Sequence, residues 1–389
     1  MRRSHRSILL SVLIFVGGLV TPALGTSARA PVGPRSLPGQ LVYLYAAHTD
    51  QPAPKVLAPA EFLRQKAKGV QPKTATFTVN YSGFSPEAQT AFQFAVDIWE
   101  SKITSSIPIV VNANWTSVGF QPGQLGGAGP RTYAANFSGA PMLDTWYPIA
   151  TANKLAGTDL DGSLHDINAN FNSAFLDWYF GTDGNSPFDK YDFVSVVLHE
   201  IGHGLGFAGS MRFGGACGTG NGCWGVIGTT STGIPTIYDR FAQNGSGDLL
   251  LNTGLFQNFS TQLAAQLTSN NVFFNGTNAA QANAGSNVKL YAPNPFVSGS
   301  SYSHLDEVFN GTPNALMTFS ISNGEVQHNP GPVMLCMFKD MGWTVTVSGA
   351  AARAATETLG LAPFFPEVGT AVTTTIYLPL VMRDFSSGC

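Results

Sequence analysis

The chain has 389 residues, of which 11% are charged, and its formal net charge is −3. This length allows one large domain, or two ordinary ones, with a substantial core. The nearly neutral charge argues against binding to nucleic acid or to an acidic membrane as the main function. Because average globular proteins have about 25% charged residues, the low charge and the 43 glycines predict a loop-rich extracellular protein.

The N-terminus has the pattern of a secretory signal. Three arginines in the first six residues precede an apolar run at 8–20, and small residues follow up to Gly25 or Ala30. The run is too short to predict a membrane-spanning helix. We therefore expect residues 1–30 to be a signal peptide and no transmembrane segment to remain. The protein is then extracellular, either free or associated with the cell surface.

A proline-rich segment follows at residues 31–73. It has no long periodic stretch, apart from a possible short helix at Ala60–Lys68, and this composition is typical of a pro-segment or a spacer. It contains no cysteine. A thiolate from this segment therefore cannot block a metal site.

An α/β layer is predicted to begin after Thr74. Residues 76–81 alternate as a strand, and Ser85 with the proline after it marks the start of a helix that runs to about Lys102. A second strand is predicted at 107–112. Strand, helix and strand in this order predict a right-handed crossover.

The next stretch includes a glycine-rich run, Gly123–Gly129, which is predicted to be a loop. It lacks the spacing of a phosphate-binding loop. Another strand is predicted at His165–Phe171, and His165 is expected to be hydrogen-bonded rather than a ligand. Nearby aspartates are candidates for a calcium site, although their spacing does not match an EF-hand and acids in a turn are the simpler interpretation. These aspartates are Asp159, Asp161 and Asp166.

The segment His199–Phe207 has the pattern H-E-x-x-H. On a helix, residues four apart lie on one face, so His199 and His203 can bind the same cation. Glu200 lies one position further round the helix, where it can reach a water on that cation. Two imidazoles and a carboxylate base are the groups that metal-assisted hydrolysis requires.

The surrounding residues predict that this segment is helical. Asp192 is a candidate N-cap, and apolar residues repeat every three to four positions from Val194 to Leu205. Glycines at 202, 204 and 206 would be costly in a helix kept only for packing. They predict that the chain turns sharply beside the metal.

Residues 208–303 are predicted to be a structured insertion, because a loop of that length without structure would be unusual in a compact domain. Within it, a short helix is predicted at 261–268, and short strands at 272–274 and 288–291. A last helix is predicted at 332–341. Residues 346–389 are predicted to be a linker and C-terminal tail, with one strand at 373–382.

The chain has four cysteines. Cys217 and Cys223 flank a short glycine-rich loop and are predicted to form a disulfide, because too few other cysteines or histidines are near for a structural metal site. Cys336 and Cys389 remain as a second pair by elimination.

The motif resembles that of the metzincin clan of zinc endopeptidases, H-E-x-x-H-x-x-G-x-x-H followed by a methionine turn. His199, Glu200, His203 and Gly206 match this pattern. The usual third ligand position, however, is Gly209, which has no side chain to bind a metal.

The layout is similar to that of the leishmanolysins, a metzincin branch in which a long insertion precedes the third histidine. His304 follows the insertion here, and Met317 would form the methionine turn. The resemblance implies an α+β fold over residues 74–345: a mixed twisted sheet with long helices, an active-site helix and a C-terminal subdomain with the methionine turn. It also implies that the strand at His165–Phe171 is the edge strand that pairs with an extended substrate.

The sequence offers other candidates for the third metal ligand. His328 follows Met317 in a polar loop, and Asp306 or Glu307 would complete a site of two histidines and one carboxylate. His304 is the favoured candidate.

We therefore expect a secreted zinc metalloendopeptidase that acts on proteins or peptides. Zn²⁺ would be bound by His199, His203 and His304, with Glu200 as general base and Met317 beneath the site. The alternative is a non-catalytic, zinc-stabilised surface or adhesion protein. Retention of Glu200 argues against it, because a purely structural site has no use for a base.

Overall fold

The computed structural model describes residues 35–70, 73–162, 164–347 and 389. The predicted signal peptide, and nearly all of the predicted C-terminal linker and tail with its strand at 373–382, lie outside these residues. The described part is an α+β structure built on a mixed sheet.

The described helices are α1 (Ala60–Ala67), α2 (Pro86–Lys102), α3 (Ile149–Ala156), α4 (Phe193–Leu205), α5 (Thr261–Leu267), α6 (Thr277–Ala282) and α7 (Gly331–Asp340). Short 3-10 turns lie at Gly215–Cys217, Tyr238–Phe241, Glu307–Phe309 and Ala315–Met317.

The strands up to the motif helix are β1 (Arg35–Pro38), β2 (Val42–Ala47), β3 (Lys55–Val56), β4 (Phe77–Ser82), β5 (Ile103–Thr104), β6 (Ile109–Thr116), β7 (Gln124–Pro130), β8 (Thr132–Ala135), β9 (Tyr147–Pro148), β10 (Ile167–Asn172), β11 (Trp178–Tyr179) and β12 (Tyr191–Asp192). Those after it are β13 (Arg212–Phe213), β14 (Gly222–Cys223), β15 (Val226–Ile227), β16 (Thr230–Ser231), β17 (Ala242–Asn244), β18 (Val272–Phe274), β19 (Val288–Leu290), β20 (Ser320–Ser322), β21 (Val326–Gln327) and β22 (Thr344–Val345).

The central sheet has six strands in the order β20-β2-β7-β10-β6-β4. Strands β4, β6 and β10 are parallel, and α2 connects β4 to β6 as the sequence predicts. Strand β7 runs antiparallel to β10, and β2 runs antiparallel to β7. Strand β20 then pairs with β2 in parallel.

Helices α2 and α4 pack together over this sheet. Helix α2 begins as predicted, with the Ser85 side chain accepting a hydrogen bond from the Ala88 amide. The indole N–H of Trp99 donates to the Leu198 carbonyl at 3.1 Å and links the two helices. Around Phe193, at the start of α4, aromatic rings pack edge-to-face, as such rings prefer in a core. This core fixes the position of the motif helix.

The glycine-rich run predicted as a loop is the strand β7, so that prediction is wrong. Several of its glycines lie where a side chain would collide with the next strand. A Cβ on Gly127 would lie 2.5 Å from the Tyr43 ring, and one on Gly129 would lie 1.9 Å from the Gln40 carbonyl oxygen. The close approach of β7 to β2 and the residues just before it therefore explains these glycines. Because glycine has no side chain, the run shows no alternation of apolar and polar residues that would indicate a strand.

The prediction that His165–Phe171 forms the edge strand is also wrong. This segment is β10, which lies inside the sheet between β6 and β7. The antiparallel strand beyond it is β7, and β2 covers the outer side of β7.

The N-terminal segment at 35–70 is integrated into the structure. Besides β2 in the central sheet, β1 pairs with β8 and β3 pairs with β21. Phe62 of α1 packs edge-to-face on Phe94 of α2. The segment therefore supplies the second strand of the central sheet, and α1 packs on the helix layer.

The insertion is structured, as the sequence predicts. It contains α5, α6 and a three-stranded antiparallel sheet of β17, β18 and β19. The structure joins Cys217 to Cys223 and Cys336 to Cys389 as disulfides. In the described part of the chain, no helix has both the length and the apolar character needed to cross a membrane.

Candidate metal centre

Helix α4 carries both motif histidines in a completely buried setting. Its N-cap is Asp192, whose side chain accepts a hydrogen bond from the Ser195 amide at 2.8 Å. Every residue of the helix is buried. It ends at Gly206, whose φ of 122° is accessible to glycine and strained for other residues. The helix thus presents His199 and His203 at fixed positions one turn apart.

Three imidazole rings meet at one point. The Nε2 atoms of His199 and His203 are 2.9 Å apart, and the Nε2 atom of His304 lies 3.2 Å from His203 and 3.3 Å from His199. All three side chains are at most 1% exposed. In the described part of the chain, this is the group of ligand-type side chains close enough to share an ion.

The opposite nitrogen of each ring fixes its tautomer. The Nδ1 atoms of His199, His203 and His304 lie 2.6, 2.6 and 2.7 Å from backbone carbonyl oxygens. A carbonyl can only accept, so each Nδ1 carries the proton and donates it. The accepting carbonyls are those of Leu316, Phe207 and Ser300.

These contacts leave three Nε2 lone pairs directed at one another. Neutral acceptors that face each other cannot hydrogen-bond and are stabilised by a shared cation. Tetrahedral Zn²⁺ with Zn–N distances of about 2.0–2.1 Å requires nitrogen separations of about 3.3 Å, close to those found here. Burial lowers the pKa of His304 to about 4, which keeps this ring neutral at pH 7. The donor set therefore fits a zinc ion.

Glu200 lies beside this cluster and is fully buried. Its Oε1 atom accepts a hydrogen bond from the Leu44 amide at 3.2 Å. Its Oε2 atom has no hydrogen-bond partner among the described residues. Burial raises the pKa of Glu200 well above its ordinary value, and the amides of Leu44 and Ala128 oppose this rise. One carboxylate oxygen is thus held by backbone, and the other remains for chemistry.

Strand β7 makes room for the Glu200 carboxylate. A Cβ on Gly126 would lie 3.0 Å from both Cγ and Oε1 of Glu200, closer than such contacts normally are. Glycine at this position therefore sets where the carboxylate lies.

We expect Gly126→Val to displace the Glu200 carboxylate without touching the histidines. Misplacement of a reacting group by about 1 Å can cost about 10²-fold in rate. For an enzyme that uses Glu200 as its base beside a zinc ion, the expected result is a loss of that size in kcat/KM, with zinc content unchanged. The matched control is Gly254→Val, at an exposed turn. Equal activities of the two variants would show that the space at Gly126 does not matter.

Met317 lies where the sequence predicts the methionine turn, in the 3-10 turn Ala315–Met317. A Cβ on Gly202 would lie 3.0 Å from the Met317 sulfur and 2.6 Å from the terminal carbon of Met334. Met317 therefore packs against α4 between the two histidine positions. The Leu316 carbonyl in the same turn holds His199.

The three glycines of α4 are only partly explained by a turn. Gly206 ends the helix, as expected. The absence of a side chain at Gly202 leaves space for Met317 and Met334. At Gly204, a Cβ would lie 2.4 Å from the Ile167 side chain of β10. Two of the three glycines therefore serve close packing, and the prediction of a turn holds for Gly206.

His304 reaches the site from the end of the insertion, 101 residues after His203. Its carbonyl accepts from the Tyr291 amide at 3.0 Å, and the next residue, Leu305, donates to the Met317 carbonyl at 2.8 Å. Gly209, at the usual third ligand position, has no space for a side chain, because a Cβ there would lie 2.0 Å from the Tyr302 ring. Of these two residues, His304 is the one with a side chain beside the motif histidines.

The rival ligands lie elsewhere. His328 Nε2 lies 2.7 Å from an Asp192 oxygen at the opposite end of α4. Asp306 pairs with Lys289 at 3.3 Å, and Glu307 is exposed. The structure therefore brings His304, and none of these three, to the motif histidines.

The candidate calcium aspartates have protein partners. Asp161 pairs with Arg131. Asp166 accepts from the Val110 amide and from the Asn153 side chain. His165 contacts two asparagine side chains, as expected for a hydrogen-bonded histidine. These contacts connect β10 to its neighbours and give no support to a calcium site.

Sequence reasoning missed the residues around the carboxylate. Leu44 comes from the proline-rich segment, and its contact with Glu200 spans 156 positions, so no local pattern marks it. Gly126 lies in the glycine-rich run, but the sequence gives no sign that it faces Glu200. The three carbonyl acceptors are backbone groups and have no sequence signal.

Comparison with known proteins gives one match. A family model described as SPBPB7E8-like matches residues 80–213. No curated protein and no solved structure matches the chain. The matched stretch runs from β4 to β13 and includes His199, Glu200 and His203, while His304 lies beyond it.

Proposed function

We propose that this chain is a secreted zinc-dependent endopeptidase with a metzincin-like catalytic domain of leishmanolysin-type layout. The observation that supports it most is the convergence of three unprotonated imidazole nitrogens beside a buried glutamate. Three histidines are a donor set found in catalytic zinc sites, which keep a fourth position open for water or substrate.

His199, His203 and His304 would hold the ion through Nε2. Their Nδ1–H bonds to backbone carbonyls keep the rings oriented and in the required tautomer. When bound, zinc supplies Lewis acidity toward water and toward a peptide carbonyl. Met317 would form the floor of the site, where it packs against Gly202 of α4.

Glu200 would act as general base and then as general acid. Its Oε2 atom is free to accept a proton from water and to return it to the leaving amine. In the structure, its Oε1 atom accepts a hydrogen bond from the Leu44 amide of strand β2. A substrate in the same extended conformation would donate a backbone N–H to this atom. The carboxylate is therefore placed beside the nitrogen of a bound peptide.

Secretion is part of the proposal. Two disulfides suit an oxidising compartment, and the signal pattern at residues 1–30 would direct export. The substrates would be proteins or peptides that bind as an extended strand.

One observation favours the non-catalytic alternative, a zinc-stabilised surface or adhesion protein. The three histidines and Glu200 are at most 1% exposed, so no substrate reaches them in this conformation. A permanently buried site would bind zinc without turnover.

We expect zinc to govern both stability and hydrolysis. A ligand at about 1,000 times its Kd stabilises the folded state by about 4 kcal/mol, so chelation should lower Tm and added zinc should restore it. Hydrolysis of an unfolded protein substrate, followed for the intact chain and after limited proteolysis, should stop and return with the metal. Magnesium should not replace zinc. Hydrolysis that survives complete zinc removal would exclude this proposal.

A further inference from the structure

The strand β2 lies across the candidate site. It is held on both sides, by β7 in antiparallel pairing (Leu44 opposite Gly126) and by β20 in parallel pairing (Ala46 opposite Ile321). An extended peptide that adds to an exposed sheet edge binds a protein in this way. Strand β2, however, belongs to the proline-rich segment that precedes the α/β layer.

Leu44 is the residue of β2 that reaches the catalytic groups. Its amide donates to Glu200 Oε1 at 3.2 Å. Leu44 is 2% exposed and lines a narrow pocket together with His199, Leu316 and Ile321. Strand β2 thus binds the carboxylate of Glu200 through a backbone amide and closes one side of the adjacent narrow pocket.

Tyr43, the residue before Leu44, faces a larger cleft. Tyr43 lines a cleft of about 500 Å³ on the other side of β2, together with residues of the insertion such as Phe213 and Phe296. The Tyr43–Leu44 peptide bond therefore passes beside Glu200, with one side chain directed to each side. This is the placement that a peptide in the cleft would take.

We propose that β2 is an inhibitory strand that fills the substrate cleft, and that the chain becomes active when this strand leaves. The inference rests on the proposed function. With β2 in place, Glu200 and the histidines are at most 1% exposed, so a substrate does not reach them while the strand stays paired. The segment contains no cysteine, so main-chain pairing and the Leu44 side chain achieve the block.

The contacts of β2 also indicate which peptides bind. The pocket beside His199 is lined by the Leu44 side chain, by apolar residues of the methionine turn and β20, and by polar residues. The apolar ones are Ala315, Leu316 and Ile321, and the polar ones include Ser195, Ser320, Glu325 and Gln327. We infer that the cleft prefers peptides with a leucine-sized aliphatic residue directly after the bond that is cut. A carboxylate in this position would be buried without a cationic partner, which is costly.

An exposed stretch where a protease could cut the chain lies at the end of the proline-rich segment. Lys68, Gly69 and Val70, after α1, are exposed. A cut there separates β1, β2, β3 and α1 from the rest of the chain.

The test uses the full zinc-loaded chain with a site for a sequence-specific protease inserted between Gly69 and Val70. Access to the cleft is measured by binding of a peptide hydroxamate with leucine as its first side chain, and hydrolysis is measured in parallel. If β2 leaves the cleft in about 1% of uncut molecules, cutting and removing the segment should tighten hydroxamate binding by about 100-fold. A synthetic peptide of residues 40–48 should then compete, and the same peptide with Leu44→Asp should not.

A second variant tests the strand without cutting. Leu44→Asp in the uncut chain should raise hydroxamate affinity and hydrolysis, because the new carboxylate would be buried near Glu325 in a pocket lined by no lysine or arginine. The matched control is Leu63→Asp, at an exposed position of α1 in the same segment, which should behave like the parent chain.

Two results would overturn the inference. The uncut parent could bind hydroxamate as tightly as the cut chain, or the cut segment could stay bound against excess hydroxamate, which would make β2 a permanent part of the sheet. A cut chain that binds zinc and hydroxamate yet hydrolyses no peptide would leave the inhibitory strand standing and reject the peptidase function.

Discussion

Glu200→Gln should abolish most peptide hydrolysis and leave zinc binding intact. The amide has the shape of the carboxylate but cannot take a proton from water, and a general base contributes roughly 10²–10⁴-fold to rate. The Gln side chain can still accept from the Leu44 amide through its oxygen, so the local structure should persist. The measurement is kcat/KM on a peptide substrate, together with zinc content, for the intact and the cut chain.

The control for this prediction is Glu100→Gln, because Glu100 is also a buried carboxylate on a helix of the same core. It accepts from the Phe77 amide and pairs with Lys73, away from the histidines. We expect its activity to stay near that of the parent. Full activity of Glu200→Gln would reject Glu200 as the base.

His304→Ala should cost the chain its zinc. Loss of a residue that merely orients a ligand weakens metal binding by about 10–100-fold, so loss of a ligand itself should weaken it by more than about 100-fold. The affinity is measured by competition with a chelator of known strength. The Tm of the variant should no longer respond to zinc or to chelation.

The matched control is His165→Ala, a half-buried histidine whose ring nitrogens lie 3.0 and 2.8 Å from two asparagine side chains. Its zinc affinity should equal that of the parent. If His304→Ala retained parental affinity while His328→Ala lost it, the third ligand assigned here would be wrong.

The motif helix could be predicted because its signals are local. Asp192 caps it, apolar residues repeat along it, and His199 and His203 are one turn apart. His304 required a resemblance to other proteins, because 101 residues separate it from His203. Its approach depends on how the insertion folds, and no short pattern encodes this.

The cleft around the site could not be predicted in the same way. Strand β7 is rich in glycine, so it has no alternation of apolar and polar side chains. Its glycines are explained by neighbours distant in sequence, Tyr43 and Glu200. The position of β2 follows from pairing with β7 and β20, and strand pairing over such distances is decided by the whole sheet.

Anomalous diffraction at the zinc edge, from crystals of the zinc-loaded chain, tests the central claim most directly. We predict one ion with the Nε2 atoms of His199, His203 and His304 at about 2.0–2.1 Å, and no fourth protein ligand. An ion bound elsewhere, or a fourth protein side chain on the ion, would contradict it.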